Sequence, residues 1–209
     1  NAASMHHIYE GRWLKDDRYM NGYIDYLCHQ GGNNRRYSES IGDAVYARYL
    51  VNADSSFAIE QLDSLKQTYN AWSDHWDSSK SLYYIPAMPD ATEYTIASID
   101  ASGGKDGFDD GEAFRPTINS YMYGNAMAMA KMAKIVSVDS LIIKYNPKAA
   151  RLKKLVQDSL WDASESFFKV LHTNGKLDDA REELGFIPWY FNLPADKAVY
   201  AKQWDQLLD

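Results

Sequence analysis

Apolar residues recur along this chain at helical spacing, in blocks separated by polar and glycine-bearing stretches. Residues 16 to 29 place Tyr19, Met20, Tyr23, Ile24, Tyr26 and Leu27 on one helix after an acidic first turn, and Gly31-Gly32 closes it. Residues 39 to 52 repeat the pattern through Ile41, Ala44, Val45, Tyr49 and Leu50, with Ser38 as the expected cap. Residues 55 to 76 predict one longer helix capped by Ser55 and Ser56, with Phe57, Ile59, Leu62, Leu65, Tyr69 and Trp72 as its stripe. The segment SLYYIPAM then predicts a short strand.

The block after Arg115 is apolar nearly all round, through Tyr121, Met122, Tyr123, Ala126, Met129 and Met132, so its helix is expected to be buried on most sides. Pro116 suits the first turn of that helix. Asn146-Pro147 predicts the start of the next one, which runs through Ala149, Leu152, Leu155, Val156 and Leu160 to Trp161. ESFFKVL reads as a strand ended by the Asn174-Gly175 turn, and a last helix is expected from near Ala195 to Asp209. About six helices in consecutive pairs, joined by long polar loops, predict an all-α fold of the α/α-toroid type. No repeat with a consistent consensus supports a TPR or HEAT solenoid. The expected organisation is one domain over 1–209, the N-terminal and middle part of a single toroid whose remainder lies outside this chain.

Composition narrows the function. The formal net charge of −7, with dispersed Lys and Arg, argues against nucleic acid. No run approaches the roughly 18 apolar residues of a membrane span. The single cysteine, Cys28, excludes an internal disulfide and a cysteine-based zinc cage. Sixteen Tyr and six Trp supply the rings on which sugar faces stack. Within HHIYEGRWLKDD, residues 6 to 17, Glu10, Arg12 and Trp13 are expected on a loop before the first helix, where Arg and Trp offer a donor fork and a stacking face.

The acids cluster in PDATEYTIASIDASGGKDGFDDGEAFRPTINS, residues 89 to 120. An EF-hand starting at Asp100 fails, because Ser102, Gly104 and Gly111 fall where position 3, position 5 and the last ligand should be. Asp106, Asp109 and Asp110 sit among glycines and are expected to be solvated. Asp90 and Glu93 precede the apolar run Tyr94-Thr95-Ile96-Ala97, where partial desolvation raises a carboxyl pKa and suits an acid catalyst. No serine-nucleophile elbow, dinucleotide fingerprint or P-loop occurs.

Taken together, EGRWLKDD, RRYSESIGDAVYARYL, DATEYTIAS, FRPTINSYMYGNAMAMAKMA, LWDASESFFKVL and GFIPWYFNLP resemble the six-hairpin glycosidases related to trehalase, processing α-glucosidase and mannosylglycerate hydrolase, especially bacterial members. The resemblance covers most of the chain. It implies an (α/α)6 barrel acting on an α-linked glycoside or oligosaccharide by inversion, with no cofactor and no metal in the chemistry. Asp90 in PDATE matches the place of the general acid and Glu93 is its nearby competitor; the choice between them stays open. The resemblance also implies substrate contacts from Glu10, Arg12, Trp13, Arg36, Arg115, Asn119, Tyr121 and Trp189. The general base is expected beyond residue 209, so the 209-residue chain alone is expected to be inactive. A periplasmic or extracellular location and no membrane insertion go with this reading. The rival is a non-catalytic helical module that binds carbohydrate or a partner; a lyase or epimerase with a Tyr or His base is a third.

Overall fold

The computed structural model describes residues 3–195 and 197–208. They form two compact units, Asn1–Asp74 with Tyr121–Ala150, and His75–Ser120 with Arg151–Asp209. Helices dominate the described residues, and the only paired strands among them are three short antiparallel ladders.

The first unit begins with α1 (Ser4–Gly11), which occupies part of the stretch expected to be a loop. Its N-terminus lacks a local cap, because Ala3 carries no side-chain acceptor. Glu39 supplies one from far along the chain: its carboxylate accepts from the backbone N–H of Ser4 at 2.9 Å and of Met5 at 3.2 Å. In α2 (Asp17–His29), Asp16 is the N-cap, and Gly31 turns the chain away with φ 92°. The start of α3 (Ile41–Asn52) is Ser40 rather than Ser38.

The long helix expected over 55 to 76 is two helices, α4 (Ser55–Glu60) and α5 (Leu62–Ala71), followed by a 3-10 turn. Asp54, not a serine, caps α4 through the Phe57 N–H. The break falls at Gln61, a buried residue whose side chain is claimed by His29 at 2.9 Å. Packing of α1 on α3 and of α2 on α5 buries Ile8, Ile24, Leu27, Val45 and Leu65. Residues 121–135 of the 20-residue α7 (Pro116–Ile135) add Met122, Ala126, Met129 and Ala133 to buried surface. Gly42 lets this helix approach closely: its N–H donates to Asn125 Oδ1 at 2.8 Å, and an added Cβ would lie 3.0 Å from that oxygen.

The second unit contains two hairpins of matching sequence. The ladder of β1 (Trp76–Asp77) with β2 (Leu82–Tyr83) comes from WDSSKSLY, and β3 (Ala113–Phe114) belongs to a later ladder. The helix α6 (Ile96–Ala101) lies between them in sequence. The second hairpin joins β4 (Trp161–Asp162) and β5 (Phe167–Phe168) and comes from WDASESFF. In both, the aspartate folds the turn by accepting from backbone N–H groups, of Ser79 and Lys80 in one and of Ser164 and Glu165 in the other. Each then has a left-handed serine, Ser81 or Ser166, and a tryptophan packed edge-on across the ladder, Trp76 on Tyr83 and Trp161 on Phe168.

The third ladder pairs β3 with β6 (Leu171–His172), and Ile85 bridges to Ala113. Ala97, Ala113, Val170 and Leu184 pack into one core around it. Two sequence expectations change here. Helix α8 (Asp139–Ser159), whose residues up to Ala150 belong to the first unit, starts before Asn146 and carries Pro147 inside it. Pro147 is exposed and so is Ile143, whose carbonyl the proline cannot bond, so water can take the place of the lost hydrogen bond. The buried stripe Tyr145, Ala149, Leu152, Val156 and Leu160 runs past it unbroken. After the short α9 (Ile187–Tyr190), the expected C-terminal helix is only α10 (Lys197–Tyr200) followed by a 3-10 turn over Ala201–Leu207. Asp209 lies outside the described residues.

Candidate active site

In the second unit, Asp90 and Arg115 face each other with no exposed side-chain surface, Arg115 Nε lying 4.0 Å from Asp90 Oδ2. The hydroxyl of Thr117 donates to the same Asp90 oxygen. Arg115 also donates from Nη2 to the Gly111 carbonyl at 2.6 Å, while its Nη1 has no hydrogen-bond partner among the described residues. Burial pushes the guanidinium pKa down, and the charges of Asp90, Glu182 and Asp178 oppose that shift. Arg115 enters from the end of β3 and Thr117 from the first turn of α7, so the Arg-Pro-Thr run brings both to Asp90.

Glu93 differs from Asp90 in access. It is half-buried on the loop between the 3-10 turn Met88–Asp90 and α6. Two non-glycine residues in the left-handed region bracket it, Ala91 with φ 55° and Tyr94 with φ 62°. The acidic glycine loop clasps this segment: the Tyr94 N–H donates to the Gly107 carbonyl at 2.7 Å and the Ala87 N–H to the Asp110 carbonyl at 3.2 Å. Gly107 and Gly111 are required by proximity. A Cβ on Gly107 would lie 2.6 Å from Ile99, and one on Gly111 2.6 Å from the Ser98 carbonyl. The side chains of Asp100, Asp106, Asp109, Asp110 and Glu112 meanwhile belong to exposed residues.

Glu182 was not singled out by the sequence, where it stands in the acid-rich run DDAREE. Its carboxylate accepts from the Ala97 N–H at the start of α6, at 3.4 Å. Burial pushes its pKa up against the lowering effect of that backbone contact. Glu182 also lines a pocket of about 640 Å³ with Phe167, Arg181, Phe186, Trp204 and Gln206. Beside it, buried Asp178 bonds His172 Nε2 at 2.7 Å.

The first unit holds a separate polar cluster. Arg12 is the C-cap of α1 and sits over the Trp13 ring at 4.9 Å and the Tyr9 ring at 5.7 Å. Trp13 is 66% exposed, so its outer face is open to a ligand. The Tyr9 hydroxyl donates to Asp43 Oδ2 at 2.6 Å. Burial pushes the Asp43 pKa up, while Tyr9, Lys131 and Arg12 pull it down. Asp43 escaped sequence reasoning, although a lone acid in the buried first turn of apolar α3 was a usable signal.

The other candidates are spread over the two units. In the first, Glu10 and Arg36 are exposed, Arg36 5.8 Å from the Tyr37 ring, and Tyr121 is buried on α7. In the second, Asn119 is buried and bonded to Tyr83, and Trp189 donates from Nε1 to Gln203 at 3.0 Å. No cluster that could hold a metal ion occurs among the described residues, and no helix among them is long and apolar enough to cross a membrane.

The family model of the mannosylglycerate hydrolase MGH1-like glycoside hydrolase domain matches residues 1–209. A solved chain titled sialidase is 33% identical over 98% of this chain, with a TM-score of 0.88. The mannosylglycerate hydrolase of Thermus thermophilus, solved in complex with glucose, matches 81% of this chain at 12% identity and a TM-score of 0.65, a likeness of fold. Those matches take in 18% of the first solved chain and 51% of the second. No curated protein matches. The fold is therefore the expected one, part of an all-α toroid.

Proposed function

This chain belongs to the mannosylglycerate hydrolase MGH1-like glycoside hydrolase domain family, and from that premise we propose that it is part of a glycosidase that cleaves an α-linked sugar by inversion. Glu93 is the general acid in this reading, and Asp90 is the buried anchor that positions its loop. One observation carries the assignment. The Asp90 carboxyl has no exposed surface and is held by Thr117 and Arg115, whereas Glu93 is partly exposed on the clasped loop. A general acid must come within hydrogen-bond reach of the leaving oxygen, and a carboxyl sealed on every side does not.

Inversion needs a second carboxylate about 6.5–9.5 Å from the acid, with a water between them. That base is assigned to the part of the protein outside this chain, so the 209-residue chain alone does not turn over. Arg12 and exposed Trp13 are assigned to sugar binding, by stacking and by a guanidinium fork. The glucose named with the Thermus hydrolase is consistent with a neutral hexose as ligand. The periplasmic or extracellular location remains part of the proposal.

The test is turnover of α-linked disaccharides by the intact protein, with the anomer of the first product read by NMR. The reading predicts a β-anomeric product and loss of turnover in Glu93→Gln. A retained α-anomer contradicts inversion, and full activity of Glu93→Gln contradicts the acid assignment.

A further inference from the structure

Glu182 ties the clasped loop to the 640 Å³ pocket, because its carboxylate accepts from Ala97 and the residue lines the pocket. We infer that this pocket is a pyranose subsite for a further ring of an α-linked oligosaccharide; the inference rests on the glycosidase reading above. The pocket volume lies within the roughly 300–1,000 Å³ of small-molecule sites.

Its walls are of two kinds. One is aromatic and fixed. Trp204, 42% exposed, has its ring centre 4.8 Å from that of Phe186 and 5.6 Å from that of Trp189. Phe186 packs edge-on against Phe167 at 5.3 Å. Fully buried Gln203 locks this platform from below, accepting from Trp189 Nε1 at 3.0 Å and donating to the Gly185 carbonyl at 2.8 Å. The other wall is polar and planar: the Arg181 guanidinium, bonded to the Gln206 amide, with the Glu182 carboxyl beside them.

A pyranose is two-sided in the same way. Its C–H face stacks on an indole, and its equatorial hydroxyls take planar amide, guanidinium and carboxyl partners. Gln206 also donates to the Glu165 carbonyl at 3.3 Å and Arg181 lies 3.7 Å from the Glu165 carboxylate, so this wall is held in place and meets a ligand with its remaining donors and acceptors. A phosphate would meet two glutamates at the rim. Burial raises the Glu182 pKa, which favours a hydroxyl-donating form of the carboxyl over an ordinary glutamate.

The experiment is isothermal titration of the intact protein with methyl α-D-glucopyranoside, methyl α-D-mannopyranoside and maltose, against the Trp204→Ala and Gln206→Ala variants. Saturable binding of at least one probe is expected, weakened tenfold or more by Trp204→Ala and about threefold or more by Gln206→Ala. No saturable binding to the native protein, or a Trp204→Ala dissociation constant within twofold of native, overturns the inference. Should Trp204→Ala lose its near-ultraviolet circular dichroism, Gln206→Ala decides by the same twofold criterion. The quantity compared is the dissociation constant of each variant, which does not depend on which carboxyl is the general acid. Failure of the acid assignment, an active Glu93→Gln, is thus separable from failure of the subsite.

Discussion

The Asn119 side chain grips the backbone of Tyr83 from both sides. Its Oδ1 accepts from the Tyr83 N–H at 2.8 Å, and its Nδ2 donates to the Tyr83 carbonyl at 2.9 Å and to the Arg115 carbonyl at 2.9 Å. Asn119 is fully buried, so the first turn of α7 is stitched to β2 by an amide that water cannot replace.

Asn119→Ala is therefore expected to destabilise the protein by about 2–4 kcal/mol, since it leaves buried backbone groups unpaired. Asn119→Asp keeps the acceptor but turns a buried carboxyl oxygen toward the Tyr83 and Arg115 carbonyls, and should cost at least as much. Denaturant midpoints of the purified variants measure both.

Glu39 gives a pH dependence of opposite sign to ordinary acid denaturation. Burial raises its pKa to about 7, despite the backbone donors Ser4 and Met5 that favour the charged form. The folded state then holds a proton that the unfolded state releases near 4.5. Its contribution is fully present below pH 4.5 and is lost as pH rises through about 7, by at most roughly 3 kcal/mol. Asp43, also raised by burial, adds to the same slope. Glu39→Gln should flatten stability between pH 5 and 7, read from thermal or urea midpoints at each pH.

Gly111→Ala should be costly, by about 1–3 kcal/mol, because φ is 79° and the new Cβ would lie 2.6 Å from the Ser98 carbonyl. Gly103→Ala is a control with positive φ but open space around it, and should cost less. If the acidic loop is a clasp for Glu93, Gly111→Ala also lowers kcat, whereas Gly103→Ala leaves kcat near native.

The tryptophan at the first-unit cluster offers a binding prediction. Trp13→Ala removes a ring that is 66% exposed and stacked with Arg12, with little cost to stability. It should raise KM several-fold and change kcat little, which steady-state kinetics on an α-linked disaccharide would show.

Helix positions were readable wherever a stripe and its caps were local. The buried faces of α7 and α8 follow their apolar spacing, whereas α2 leaves Tyr19 and Tyr26 exposed and α3 leaves Leu50 exposed and buries Arg48. Some of what failed had distant causes, and some had local ones, such as the Asp54 cap of α4. Helix α1 takes its cap from Glu39, and the break before α5 falls at Gln61, whose side chain bonds His29; neither partner lies in a local window. Pro147 looked like a start because its missing hydrogen bond is on an exposed face, where the cost is small. The twin WDSSKSLY and WDASESFF hairpins were legible in principle, as a repeated Asp turn between a tryptophan and an aromatic strand.

The site was legible in part. Sequence put the chemistry in PDATE, and the fold brings Asp90 together with Arg115, which the resemblance had flagged separately. Pattern could not separate Asp90 from Glu93, because their difference is access to solvent, set by Thr117 and the glycine clasp. Asp43 and Glu182 acquire their character only from neighbours distant in sequence, Tyr9 and Lys131 for one and Ala97 for the other.

The most direct measurement compares Glu93→Gln and Asp90→Asn on two substrates of the intact protein: an α-linked disaccharide, whose leaving group needs a proton, and a 2,4-dinitrophenyl α-glycoside, whose leaving group does not. General acid catalysis contributes about 10²–10⁴-fold. The account predicts a loss of that size for Glu93→Gln on the disaccharide, with the dinitrophenyl glycoside largely spared. Asp90→Asn should lower both rates together, in step with lost stability. The reverse pattern, a leaving-group-dependent loss in Asp90→Asn and none in Glu93→Gln, would contradict it.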